Sequence, residues 1–258
     1  MSVTLAIEDG VARVTIDRPD RLNAIDRDAE RQLIVIWEGI ERNADIRVVV
    51  LTGAGDRAFC TGADMKSSGG VSGLDYWAAP RPGGFGGIAL RDTLDVPVIA
   101  RVNGHALGGG FEMVLGCDIV VAAEHATFGL PEPRVGRLAL DGGIAVLPRR
   151  IPHVLAMGML LTGRRIGAAE AHRFGLVNEL APMAELDAAV DRWVADILAS
   201  APLSVRAIKQ MVRAGAGLTA QQAQALRVPA LVAALKSSDQ EEGVRAFREK
   251  RKPRWEGR

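Results

Sequence analysis

Charge of one sign is missing from this chain. Its 32 Lys and Arg residues face 31 Asp and Glu residues, a net charge of +1, which argues against a general nucleic-acid binder held on phosphates. Cysteine is nearly absent too. Cys60 and Cys117 show neither metal-ligand spacing nor a disulfide framework, and both read as buried thiols in a reducing compartment. No uninterrupted apolar run approaches the ~18 residues of a membrane span. The opening SVTLAIEDG has no basic segment followed by an apolar one, so no signal peptide is expected. These absences together predict a cytoplasmic protein without membrane or nucleic-acid partners. The four histidines, His105, His125, His153 and His172, lack metal-ligand spacing, so no metal or redox cofactor is expected. His105 reads as a structural hydrogen-bonding residue.

What is present is enough apolar residue, 48% of 258, to bury a substantial core. Val3–Ile7 and Val11–Ile16 alternate around Asp9-Gly10, the pattern of a β-hairpin. Asp26 is a candidate N-cap for a helix that presents Ala29, Leu33, Ile36, Trp37 and Ile40 on one face. Val48–Leu51 is a short buried-strand run. The following Gly53-Ala54-Gly55-Asp56-Arg57-Ala58 fits a loose dinucleotide fingerprint, but Phe59-Cys60-Thr61-Gly62 does not open the helix that such a loop needs. Residues 67–87 hold seven glycines and two prolines and read as a long loop. Helices are expected over Ile144–Ile151, Val154–Leu161, Pro182 to about Ala199, Pro202–Val212, Thr219–Leu235 and Ser238–Lys250. Strands therefore come first and helices last.

Chemistry concentrates in Pro97–Gly143. A buried strand, Val98–Val102, and the turn Asn103-Gly104 lead to Gly108-Gly109-Gly110 and a helix-like segment over Phe111–Leu115. Glycines at a helix start let backbone approach a ligand and point free N–H groups at a developing oxyanion. Glu112 follows inside this apolar stretch, and Glu132 comes twenty residues later behind Phe128-Gly129-Leu130-Pro131. Two acids in apolar company have raised pKa values suited to proton transfer near neutrality.

NGHALGGGFE, CDIVVA, FGLPEPRVG and the closing DGG resemble the crotonase (enoyl-CoA hydratase/isomerase) family. The resemblance covers nearly the whole chain. It implies an α/β fold, a spiral (ClpP-like) core of repeated ββα units over residues 1–200, and a helical C-terminal trimerisation region over 201–258. It also implies an acyl-CoA thioester substrate, with coenzyme A part of the substrate and no separate cofactor, and a homotrimer or dimer of trimers. Phe59–Met65 matches the family's F-x-x-G-x-D segment, so the Ala63 and Gly109 amides would form the oxyanion hole. Glu112 and Glu132 would add water syn across a 2,3-double bond or remove it, with Glu132 leaning to the α-carbon and Glu112 to the water. Isomerase and thioester-hydrolase activities are the alternatives within this class, and an RNA-binding or scaffold relative is the alternative outside it.

The resemblance also extends the substrate-binding set to Asp64, Met65 and Gly108. Asp64 on its own reads as a cap or structural hydrogen-bonding residue. Tyr76 and Trp77 either touch the acyl group or simply pack. Where hydratases carry G-x-P-G-A-G-G, this chain has Gly136–Gly143 with Asp141. Arg134 and Arg137 nearby either bind a second carboxylate and depress Glu132 or serve as outward or structural groups. Pro82–Phe85 and the ending around Glu242, Phe247, Lys250, Arg251 and Trp255 resemble the carnitinyl-CoA dehydratase-like subgroup, whose acyl chain carries a quaternary ammonium. Trp77, Tyr76 and Asp141 are candidate parts of a cage for such a group. Lys250, Arg251 and Lys252 are either a solvated end or contacts for CoA phosphates.

Overall fold

The computed structural model describes residues 2–65, 72–79 and 81–258. Part of the glycine-rich stretch expected as a loop, 67–71 and 80, lies outside them.

Among the described residues ten strands are formed: β1 (Val3–Glu8), β2 (Val11–Ile16), β3 (Val48–Gly53), β4 (Ala58–Cys60), β5 (Val98–Val102), β6 (His105–Leu107), β7 (Ile119–Ala123), β8 (Thr127–Gly129), β9 (Arg165–Gly167) and β10 (Glu179–Ala181). Helices α1 (Arg27–Arg42), α2 (Gly73–Ala78), α3 (Gly109–Leu115), α4 (Gly143–Arg150), α5 (His153–Thr162), α6 (Ala168–Arg173) and α7 (Leu186–Leu198) interleave with them. The chain ends in α8 (Pro202–Ala214), α9 (Ala220–Gln224), α10 (Pro229–Lys236) and α11 (Asp239–Arg248).

The strands build two sheets, ordered β1-β2-β3-β5-β7-β10 and β4-β6-β8-β9. The arrangement is a spiral. Each turn leaves one strand in the large sheet (β3, then β5, then β7) and the next in the small one (β4, β6, β8), all parallel within their sheet. Strands β3 and β5 are buried along nearly their whole length, which suits their apolar composition; the one charge, Arg101 in β5, is paired with Asp187. The β1–β2 hairpin pairs antiparallel, Val3 opposite Ile16. Asp26 caps α1 by accepting the Ala29 amide at 2.8 Å, and Ala29, Leu33, Trp37 and Ile40 face the core. The Trp37 indole, fully buried, donates to the Gly86 carbonyl at 2.8 Å. Its ring thereby fixes the segment around Phe85, which is well packed where the composition suggested an open loop.

Asn103 does more than turn the chain. Its buried amide group donates to the Gly55 and Ala58 carbonyls, tying the loop after β5 to the loop before β4. The Gly53–Ala58 segment is this connection and opens no helix. The single helix expected over Thr219–Leu235 is instead two, α9 and α10. Pro229 forces Val228 into an extended conformation, φ −68° and ψ 148°, and starts a new helix. The C-terminal helices attach to the core through α8. Lys209 pairs with Asp118 and Arg213 with Asp95, while Arg206 donates to the Ala44 and Ile46 carbonyls.

Candidate active site

Three parallel strands of the small sheet, β4, β6 and β8, end side by side, and the site lies beyond their C-terminal ends, the usual place for ligands in parallel sheets. From β4 comes Thr61–Met65, from β6 Gly108–Gly110, and from β8 Leu130–Glu132. The pairing Leu107↔Gly129 and a Gly108 N–H to Gly129 carbonyl bond of 2.9 Å bring the two glutamate-bearing segments together across twenty residues.

The triple glycine is required by space. Gly108 has φ +56°, a conformation that costs other residues strain. A Cβ at Gly110 would stand 2.0 Å from the Cys60 carbonyl oxygen, so α3 starts against β4 with no room for a side chain. Phe111, buried at the same turn, packs edge-on to Phe128 with centroids 5.6 Å apart.

A cavity of about 500 Å³ opens here, lined among others by Ala63, Met65, Tyr76, Phe85, Gly108, Gly109, Glu112, Glu132, Arg137 and Asp141. Such a volume suits a small-molecule acyl group. Gly62 O and Asp64 N both bond Ile25, so the Ala63 amide between them turns the other way. Neither it nor the Gly109 amide donates a hydrogen bond among the described residues, and the two segments touch: a Cβ on Gly62 would lie 3.2 Å from Gly109 N. Two free donors on one wall form the geometry an oxyanion needs.

Glu112 is 3% exposed. Its Oε1 accepts the Gly143 amide at 2.9 Å, so the start of α4 anchors it. Burial pushes its pKa up to about 8, with Asp141 and Glu132 adding to the rise and the Gly143 amide opposing it. The Glu132 pKa is also raised, by burial. Its Oε2 is buried without a hydrogen-bond partner among the described residues, while its Oε1 lies 3.1 Å from where a Gly108 Cβ would be. No arginine depresses it. Arg134 turns away to donate to the Thr162 carbonyl at 2.8 Å, and Arg137 reaches the cavity wall.

Other residues fall on either side of the cavity wall. Tyr76, from α2, lines the cavity and donates its hydroxyl to Asp141 Oδ2. The Arg81 guanidinium lies 4.2 Å from its ring centroid. Trp77 is 67% exposed and does not line the cavity. Asp64 also stands outside the lining and, with Asp26, holds Arg18. His105 pairs with Thr127 at 2.8 Å. Arg251 is engaged by Glu242 and Glu249. The Tyr76–Asp141 hydrogen bond was not legible in the sequence, because the two residues are 65 positions apart with no shared motif. Among the described residues no cluster of His, Cys, Asp or Glu is arranged to hold a metal ion.

The profile of the enoyl-CoA hydratase/isomerase family matches residues 6–258. The chain belongs to that family. It is 39% identical to an (E)-benzylidenesuccinyl-CoA hydratase of Thauera aromatica, covering all of both chains. It is 37% identical to a carnitinyl-CoA dehydratase of Escherichia coli K12, covering all of this chain and 99% of the other. The crystal structure of an enoyl-CoA hydratase from Mycobacterium tuberculosis H37Rv superposes with a TM-score of 0.89 at 35% identity, over 100% of this chain and 99% of that one. The ββα spiral with a helical C-terminal part is thus the crotonase fold.

Proposed function

We propose that this family member is an acyl-CoA hydratase/dehydratase that adds water syn across the 2,3-double bond of an enoyl-CoA thioester, or removes it. The observation that carries the reading is one buried and one half-buried glutamate sharing a cavity with two unused backbone amides. In this reading the thioester oxygen sits on the Ala63 and Gly109 N–H groups, which draw electrons away from the β-carbon. The enolate-like oxygen that follows is stabilised by the same donors, each worth about 2.7–4 kcal/mol in comparable sites. The pair shares the proton work: one carboxylate takes a proton from water and the other gives one to the α-carbon, with the roles exchanged in the reverse direction. Glu112, pushed up to about 8, keeps a proton at neutral pH, and the Glu132 pKa moves in the same direction.

The proposed assembly is a homotrimer or dimer of trimers. Exposed apolar side chains on the C-terminal helices support it: Ile208, Val212, Leu235, Val244 and Phe247, the last 85% exposed. The proposed location is the cytoplasm. Both cysteines are free and buried, their thiols pushed up to about 12, and no described helix is long and apolar enough to cross a membrane.

The test follows the loss of the conjugated enoyl-thioester absorbance of crotonyl-CoA. Wild type is expected to consume it, and Glu112→Gln and Glu132→Gln to lose roughly 100- to 10,000-fold in rate. Unchanged turnover in either variant would remove that residue from the pair. Migration of the double bond without water addition would favour the isomerase reading.

A further inference from the structure

The cavity holds a third carboxylate that the hydration chemistry does not use. Asp141 is 6% exposed, one residue before the Gly142-Gly143 turn that anchors Glu112. Its Oδ2 accepts the Tyr76 hydroxyl. Its Oδ1 has no hydrogen-bond partner among the described residues, and the residue belongs to the cavity lining. Burial and then the Asp141 contact raise the Tyr76 pKa, so the phenol stays the donor and Asp141 the acceptor. An acceptor on a cavity wall with no protein partner is open to a donor from a bound molecule.

Which donor fits follows from the surroundings. An acyl chain ending in a carboxylate has no N–H or O–H to give Oδ1 and would set a second anion against Asp141. A quaternary ammonium has no N–H to give Oδ1 and needs aromatic faces. Here one face of Tyr76 is covered by the Arg81 cation, and Trp77 lies outside the cavity. A primary ammonium would sit among Arg81 and Arg137. A neutral hydroxyl meets none of these penalties.

We propose that Asp141, oriented by Tyr76, is a specificity residue that accepts a hydrogen bond from a neutral hydroxyl on the acyl chain beyond the reacting double bond. This rests on the hydratase reading for the placement of the thioester, and it sets this chain apart from relatives named for charged acyl groups.

The experiment compares hex-2-enoyl-CoA thioesters ending in methyl, hydroxyl, carboxylate or trimethylammonium. In parallel, calorimetry measures binding of the saturated methyl- and hydroxyl-ended analogues, which cannot be hydrated. Wild type is expected to favour the hydroxyl-ended thioester over the methyl-ended one by roughly tenfold or more in kcat/KM and in Kd. In Asp141→Leu that ratio falls to one or below, whatever the absolute rates. Should that variant not fold, Asp141→Asn carries the same comparison, its neutral carboxamide accepting less strongly than a carboxylate. No preference in wild type, a preference for either charged end, or a ratio unmoved by both substitutions overturns the proposal. Hydroxyl-selective binding that Asp141→Leu abolishes, with no hydration of any thioester, upholds the proposal and removes the hydratase reading instead.

Discussion

Glu112 and Glu132 occupy two regions of one cavity, and the regions differ in how they treat a carboxylate. The Glu112 side is built tightly. The residue sits on a helix buried throughout, and the first amide of α4 holds one of its oxygens. The Glu132 side is looser. The residue follows Pro131 in a short 3-10 turn without a buried residue, and Oε2 has no partner. Burial raises both pKa values, but it does so at one fixed group and one free to reach. A fixed group suits a water held in one place, and a free one suits a carbon that changes geometry as it is protonated.

The sharpest way to break that comparison is to ask which glutamate serves the α-carbon. Exchange of the α-protons of butyryl-CoA with deuterated water, followed by NMR, needs no hydration step. Glu132→Gln is expected to lose exchange by roughly 100-fold or more, with Glu112→Gln retaining most of it. The reverse pattern would give the carbon to the anchored residue. A smaller effect isolates the loose side alone. Among the described residues a Cβ at Gly108 has only the Glu132 carboxyl within 4 Å. Gly108→Ala should therefore lower kcat by roughly tenfold through Glu132, besides the cost of about 1 kcal/mol for a side chain at positive φ. An unchanged kcat with lowered stability would show that Glu132 simply moves aside.

The fold was legible wherever one periodicity dominated. The hairpin, the Asp26 cap and the apolar face of α1 follow from local pattern alone, because each needs only neighbours in sequence. Pro229 was legible in principle as a breaker, but the apolar residues on either side of it read as one helix. The site was legible through the glycine triplet and the two acids, whose roles came from family resemblance. What local pattern could not give is the set of long-range contacts. Gly143 anchoring Glu112, Tyr76 reaching Asp141, and Arg134 turning to Thr162 depend on how the spiral stacks. The ammonium cage suggested by Tyr76 and Trp77 lost its second ring for the same reason. Adjacent positions on the short helix α2 point to different sides, one towards the cavity and one towards solvent.

The remaining comparison is thermodynamic and concerns both regions at once. A carboxyl whose pKa is higher in the folded than in the unfolded protein binds its proton more tightly when folded. Its folded form is therefore favoured at low pH, and stability falls as pH rises from the unfolded value, near 4.5, through the folded one. For Glu112 that window ends at about 8; Glu132 shifts the same way. Denaturant unfolding at a series of pH values should show wild type losing on the order of a few kcal/mol across this window from these groups. Glu112→Gln, which cannot ionise, should flatten most of that slope and be relatively more stable above pH 8. Glu132→Gln should flatten less, because its free carboxyl can turn towards solvent when charged. Equal flattening by both would mean that anchoring by Gly143 does not separate the two sites, and a wild-type curve flat from pH 5 to 9 would mean that neither carboxyl is held in the protonated state by the fold.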